Sequence, residues 1–279
     1  MISQSEIKSY SENGFLKLNN FFPVGSIDEI LNNGKKIFLL QFLSKGYTKK
    51  NAVGEIPESE FNQMLYRLFE EDFQALSNCG KQIQHLISLH AMSLNEKILS
   101  LLVDIGFKFP NISTRPVMFF NHPKLSKEKV FYKVDSHQDW RSMQGSLNSV
   151  VIWVPLIDIN KDLGALEILP GSHKLGLITD NVHYGFGMVK LTDEQKKNLM
   201  TVEVKKGDAL LFSSFLVHQS GNNITDRPRW SCHFRYNDLE EETFINRRFA
   251  HPYIYKPNEE LITPDFPKPE MLQKIFING

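Results

Sequence analysis

The sequence predicts a mainly β fold, a sandwich or jelly roll, with a block of helices packed in front of it. Three observations carry this expectation. From about residue 112 the period changes: short strand-like runs follow one another, and turn residues separate them at an even rhythm. Between about 24 and 106 the apolar residues recur instead with helical spacing. The chain is also 41% hydrophobic with twenty-one phenylalanines, enough to fill a thick aromatic core. A chain of 279 residues built this way reads as one domain: a helical scaffold over about 24–106, a jelly-roll core over about 112–238 and a tail over 239–279.

Taken in order, residues 5–24 read as a short helix followed by the strand Phe15-Leu16-Lys17-Leu18. Ser26 with Glu29 forms a capping-box pattern at the head of a helix that carries Ile27, Ile30, Leu31 and Ile37 towards Gly46. A polar loop from Lys49 to Pro57 leads to an amphipathic helix marked by Phe61, Met64, Leu65, Leu68, Phe69 and Phe73. Two further helical runs follow, roughly 80–91 and 94–104, the second opened by Ser93 with Glu96. None of these helices has ligand-type spacing, so they read as scaffold, with His85 and His90 as ordinary helix residues.

The strands expected beyond them are 116–120, 133–137, 149–154, 166–169, 201–204, 209–212 and 231–236. Two excursions break the rhythm, 121–132 and 172–200, the latter with a small helix at 192–199. Long excursions in a compact β domain tend to be functional, so 172–200 reads as a lid hinged at Gly176, Gly185 and Gly187.

Composition excludes several classes. Thirty-two basic residues balance thirty-two acidic ones, so no bulk charge recruits nucleic acid or an anionic membrane. No apolar run approaches the ~20 residues of a membrane span. The opening Met1-Ile2-Ser3-Gln4-Ser5-Glu6 lacks the pattern of a signal peptide, and Cys79 and Cys232 are isolated. Buried thiols in a reducing cytoplasm are the expectation.

The chemistry concentrates at Ser136-His137-Gln138-Asp139-Trp140 and His218-Gln219-Ser220-Gly221-Asn222. On a strand, His137 and Asp139 share one face. His218, from a neighbouring strand, would complete a set of two imidazoles and one carboxylate. That set leaves positions open on non-haem Fe(II), and it also suits Zn²⁺ in a hydrolase. The choice of iron rests on Arg229, eleven residues after His218. A 2-oxo acid such as 2-oxoglutarate chelates Fe(II) beside O₂, and its far carboxylate needs a fixed guanidinium fork. Arg229, Ser231, His233 and Arg235 would share one face of their strand, a polar face that is costly unless it lines a site. Ser231 then offers a hydroxyl to the same carboxylate. Arg227 is the rival clamp but precedes Pro228, which puts it in a turn. Arg141 is read as a grip for an anionic substrate group, with His233 and Arg235 as further substrate contacts. His122, His173, His183 and His251 read as ordinary histidines.

Several runs together resemble the phytanoyl-CoA dioxygenase family: His137-Gln138-Asp139, Trp153-Val154-Pro155-Leu156, the stretch Leu163 to His173, Gly207-Asp208, and His218 to Asn223 with Arg229. Tyr10-Ser11-Glu12-Asn13-Gly14-Phe15 is similar to the family's usual start. The resemblance implies a double-stranded β-helix (cupin-like) core and Fe(II)- and 2-oxoglutarate-dependent oxygenation with O₂. It implies that His137, Asp139 and His218 are the catalytic iron ligands, that Arg229 binds the co-substrate and that Trp153 lies close to it. Family halogenases replace the metal-binding carboxylate with a small residue. Asp139 is present, so the expected reaction is hydroxylation of an unactivated C–H bond of a small molecule, with release of succinate and CO₂. The competing readings are a cupin-like metal-dependent isomerase or hydrolase that uses no keto acid, and a non-catalytic binding module.

Overall fold

The computed structural model describes residues 2–126, 133–178, 181–183 and 186–250. Gly185 and the part of the tail beyond residue 250, with His251, lie outside the described residues.

Helix α1 (Gln4–Asn13) starts at a complete capping box between Ser3 and Glu6 and stops at Gly14, whose φ of +82° suits glycine. Strand β1 (Phe15–Leu18) follows directly. Helix α2 (Val24–Ser44) begins two residues before Ser26, because Pro23 (φ −58°) already sets the first turn, and no side chain caps it. Helix α3 (Glu58–Glu71) ends where Asp72 adopts φ −150°, and the Asp72 carboxylate then caps α4 (Phe73–Gln82) by accepting from the Ala75 N–H at 2.9 Å. Phe73 therefore starts a new helix rather than ending the old one. Helices α5 (Ile87–Ser93) and α6 (Glu96–Asp104) complete the block. Asn95, not Ser93, caps α6, because the Ser93 hydroxyl donates to the His90 carbonyl.

The remaining elements are β2 (Pro110–Asn121), the short helical turn α7 (Trp140–Met143), β3 (Val150–Pro155), β4 (Leu166–Ile168), β5 (Asn181–His183), β6 (Phe186–Met188), α8 (Asp193–Lys197), β7 (Met200–Val202), β8 (Ala209–Ser213), β9 (His218–Ser220), β10 (Arg229–Asp238) and α9 (Glu242–Asn246). A five-stranded antiparallel sheet runs β1–β8–β3–β10–β2, and a smaller one runs β7–β4–β9. Single-residue bridges join His137 to His218 of β9 on one side and to Met188 of β6 on the other. The β5–β6 hairpin thus brings the 172–200 excursion against the small sheet.

Alternation along the large sheet builds two cores. Val150, Ile152 and Val154 of β3, Leu211 of β8, and Trp230, Cys232, Phe234 and Tyr236 of β10 face the helices, where Phe38 and Phe42 of α2 meet them. Trp230 stacks on Phe120 at 5.2 Å between ring centroids. The opposite face sends Val151, Trp153, Leu210 and Phe212 towards Leu166, Ile168 and Val202 of the small sheet. Covering both faces explains why all six residues of β3 are buried. A buried large apolar side chain contributes about 1.5–3 kcal/mol, so these two layers fix the strands that carry the polar face of β10. Among the described residues no single helix is long and apolar enough to cross a membrane.

Candidate active site

The inward face of β10 carries Arg229, Ser231, His233 and Arg235 in succession, all of which line one cavity of about 410 Å³. That volume is in the range of small-molecule sites. Across it lie His137, Asp139 and His218, whose ligand atoms all fall within 4.8 Å of one another.

The expected strand over 133–137 does not form; only His137 makes a β-bridge. The His137 N–H donates to the His218 carbonyl at 3.0 Å, and the His218 N–H donates back at 3.1 Å. Such a doubly bonded antiparallel pair puts its side chains on one face, and the two rings stand 4.2 Å apart between centroids. Asp139 then reaches the site by a turn rather than by strand alternation: its backbone is αR (φ −62°, ψ −30°), at the head of α7. The same turn carries Arg141 into α7. Arg141 is half-buried and is not among the residues lining the cavity, which corrects its expected place on a continuing strand face.

The donor chemistry fits a divalent metal. The Nδ1 of His137 lies 2.8 Å from the Asp135 carbonyl, and the Nδ1 of His218 lies 3.0 Å from the Leu216 carbonyl. A carbonyl only accepts, so the neutral form of either ring carries its proton on Nδ1 and presents the Nε2 lone pair inward. The His218 Nε2 is 3.7 Å from Asp139 Oδ2, a gap that two bonds of about 2.1 Å to one ion can span. Burial, together with the neighbouring His137, pushes the His218 pKa down to about 4, against the opposing pull of Asp139. Burial alone would raise the Asp139 carboxyl, but the Arg235 guanidinium, then His218, hold it well below the usual carboxylate range. Both groups are therefore in their ligating forms near neutral pH.

Arg235 donates to Asp139 Oδ1 at 2.8 Å, which occupies the oxygen turned away from His218. One terminal nitrogen of Arg235 is thus given to the carboxylate, while its Nε, among the described residues, has no hydrogen-bond partner. His233 lines the cavity with its Nε2 buried and, among the described residues, without a hydrogen-bond partner; its ring stands edge-on to Phe119 at 5.2 Å. Trp153 also lines the cavity, opposite His233 in the β3–β10 register.

Arg229 is fully buried. Its Nε donates to Asn121 Oδ1 at 3.1 Å, one terminal nitrogen to Ser220 Oγ at 3.1 Å and the other to the Gly164 carbonyl. Burial lowers its pKa to about 10, and among the described residues no acidic neighbour contributes. Ser231 is buried beside it. Arg227 is exposed, outside the cavity. Gly164 carries φ +82°, and a Cβ there would lie 2.9 Å from the Gly221 carbonyl, so glycine is required where the loop meets Arg229.

Sequence reasoning missed two groups. Asn121, Ser220 and the Gly164 carbonyl orient Arg229, and no local motif signals that. Phe73, Leu76, Ser77 and Gly80 of α4 also line the cavity, although the helices read as scaffold. His122 and His173 make structural contacts to backbone carbonyls of Thr225 and Ser11.

A family model described as phytanoyl-CoA dioxygenase (PhyH) matches residues 10–231. The peroxisomal phytanoyl-CoA dioxygenase of Homo sapiens is 27% identical over 253 residues, covering 85% of this chain and 70% of that protein. A phytanoyl-CoA dioxygenase domain-containing protein 1 homolog of Dictyostelium discoideum is 25% identical, covering 85% of this chain and 92% of its own. Among solved structures, the epimerase SnoN in complex with Fe³⁺, alpha ketoglutarate and nogalamycin RO superposes with a TM-score of 0.57 at 16% identity, covering 91% of each chain. That likeness is one of fold.

Proposed function

The chain belongs to the phytanoyl-CoA dioxygenase family, and on that premise we propose that this Fe(II)- and 2-oxoglutarate-dependent dioxygenase hydroxylates an unactivated C–H bond of a small molecule. The observation that carries the reading is the pairing of two features in one cavity: a cluster of two Nε2 lone pairs and a carboxylate, and a buried arginine with no acidic partner among the described residues. When bound, ferrous iron with 2-oxoglutarate and O₂ supplies the oxidising power, and succinate and CO₂ leave.

In this reading His137, Asp139 and His218 hold the metal. Arg235 fixes the orientation of Asp139 by holding Oδ1, so Oδ2 is the oxygen left to ligate. Arg229, kept in place by Asn121, Ser220 and Gly164, takes the far carboxylate of the keto acid, and Ser231 adds a hydroxyl donor. Trp153 and Phe212 wall the site and keep water from it. A second reading is oxidation that ends as epimerisation, the activity of the similarly folded SnoN. A cytoplasmic setting belongs to the proposal as well, against the peroxisomal address in the human relative's name.

Anaerobic addition of Fe(II) and 2-oxoglutarate should give a visible metal-to-ligand charge-transfer band, and admitting O₂ should release succinate. Asp139→Ala should abolish both. A wild-type protein that binds Fe(II) but neither binds nor consumes 2-oxoglutarate would remove the oxygenase reading and favour the keto-acid-free alternative.

A further inference from the structure

The cavity does not end at the polar cluster. Phe73, Leu76, Ser77 and Gly80 line it at positions i, i+3, i+4 and i+7 of α4, one face of a helix running about 10 Å along its axis. Phe119 and Phe120 of β2 and Leu125 line the same cavity, Phe120 against Gly80 of α4 and Phe119 against His233 of β10. Phe73 and Phe119 are large apolar side chains that are 37% and 41% exposed. The inner end of the cavity is thus charged and hydrogen-bonding, and the outer end is aromatic and aliphatic.

Gly80 is the informative residue in this wall. It lies inside α4 and is not among the glycines with positive φ. Glycine is the poorest helix former after proline, so an interior glycine calls for a reason. Close packing does not supply one: a Cβ built there would meet only the Phe120 ring, at 3.6 and 3.7 Å, ordinary van der Waals distances. What a side chain at 80 would take away is space in the cavity.

We propose that the α4 face from Phe73 to Gly80 is the substrate-selecting wall, that it takes an apolar segment of the oxidised molecule, and that Gly80 sets how wide that segment can be. This rests on the oxygenase reading of the inner site. It assigns substrate selection to a helix outside the jelly roll, whereas the chemistry is assigned to β9, β10 and the 136–139 turn. The segment is an uncharged hydrocarbon one, since this α4 face offers one hydroxyl, that of Ser77, and no charge.

The test uses the neutral fluorescent dye N-phenyl-1-naphthylamine as an apolar probe, with Fe(II) and 2-oxoglutarate present under anaerobic conditions. The wild type should bind the dye, and Gly80→Leu should bind it about tenfold or more weakly. The thermal midpoint of Gly80→Leu should not fall, because leucine is the better helix former, and the charge-transfer band should persist with unchanged 2-oxoglutarate affinity. Absence of dye binding in the wild type, or equal binding in Gly80→Leu with the band present, overturns the assignment of this wall. Absence of the band in the wild type overturns the oxygenase reading instead. Should Gly80→Leu not fold, Ser77→Leu, on the same face one turn earlier, is read in its place with the same outcomes.

Discussion

Arg229 offers the sharpest test, because its surroundings already fix the sign of the effect. A guanidinium buried in a protein interior costs several kcal/mol unless a counter-charge compensates it. Among the described residues the partners of Arg229 are an amide oxygen, a hydroxyl and a backbone carbonyl, all neutral. The missing negative charge is expected to arrive with the far carboxylate of 2-oxoglutarate. Arg229→Gln keeps a donor for Ser220 or Gly164 and removes the charge. A hydrogen bond to a charged group contributes roughly 1.5–3 kcal/mol, so the 2-oxoglutarate dissociation constant should rise roughly 10- to 150-fold. Calorimetric titration into the metal-loaded protein measures it. The ligand-free variant should melt no lower than wild type, since relief of the buried charge offsets the lost contacts, but its stabilisation by 2-oxoglutarate should shrink. Arg227→Ala, at an exposed position, should bind like wild type. Equal affinities in Arg229→Gln and wild type would refute the reasoning, and a loss confined to Arg227→Ala would move the clamp.

Two further substitutions probe the support of the site. Gly164→Ala forces an L-residue to φ +82° against the Gly221 carbonyl and the Asn223 N–H. It should cost about 1–2 kcal/mol in urea unfolding and weaken 2-oxoglutarate binding through the carbonyl that Arg229 holds. Full stability with unchanged affinity would contradict the required turn. Asp238 is the second. Burial works against its carboxylate, but the N–H groups of Phe109 and Lys108 and the Asn148 amide lower its pKa overall. A carboxyl with a lowered folded pKa contributes stability that is present above its unfolded value of about 3.9 and lost as pH falls through the folded one. Asp238→Asn should therefore cost roughly 1–3 kcal/mol near neutrality. The gap to wild type should stay level from pH 6 to about 5 and narrow as pH falls below about 4, towards the folded value; a gap that stays constant down to about pH 2 would count against the assignment.

The fold was legible where periodicity was unambiguous. In β10 polar and apolar residues alternate, so both its faces can be read off the sequence, whereas β3 and β8 are apolar almost throughout and read only as short buried strands. Helix ends were less legible. The Ser26–Glu29 and Ser93–Glu96 patterns are good capping boxes on paper, but Pro23 starts α2 earlier, and Ser93 spends its hydroxyl on the carbonyl of His90. A local competitor decided each. At the site, the spacing of His137 and Asp139 pointed to side chains that the structure does bring together with His218, but by another route: a strand was expected, and a bridge followed by a helical turn delivers the two side chains. Arg141 was misplaced by the same assumption, and the contact of Arg235 with Asp139 was not foreseen because nothing in its neighbours along the chain announces a carboxylate ninety-six positions away. The α4 face was invisible because an amphipathic helix lining a cavity has the same period as one filling a core.

The two histidines share a feature that bears on how the site is prepared for its metal. In each, Nδ1 faces the carbonyl two residues earlier in the chain, Asp135 for His137 and Leu216 for His218. The tautomer is thus set by local backbone rather than by a distant partner, and forming the reciprocal bridge between the two segments brings both Nε2 lone pairs inward together. Asp139 is held from the far side by Arg235, on a strand already anchored by Trp230, Cys232 and Phe234 in the helix-facing core. Each donor is oriented by an interaction that does not require the ion. The folded chain therefore bears the cost of gathering two imidazoles and a carboxylate, and metal binding need not organise the site. That predicts a preformed site whose structure changes little on loading, in contrast to small domains in which metal binding and folding are one event.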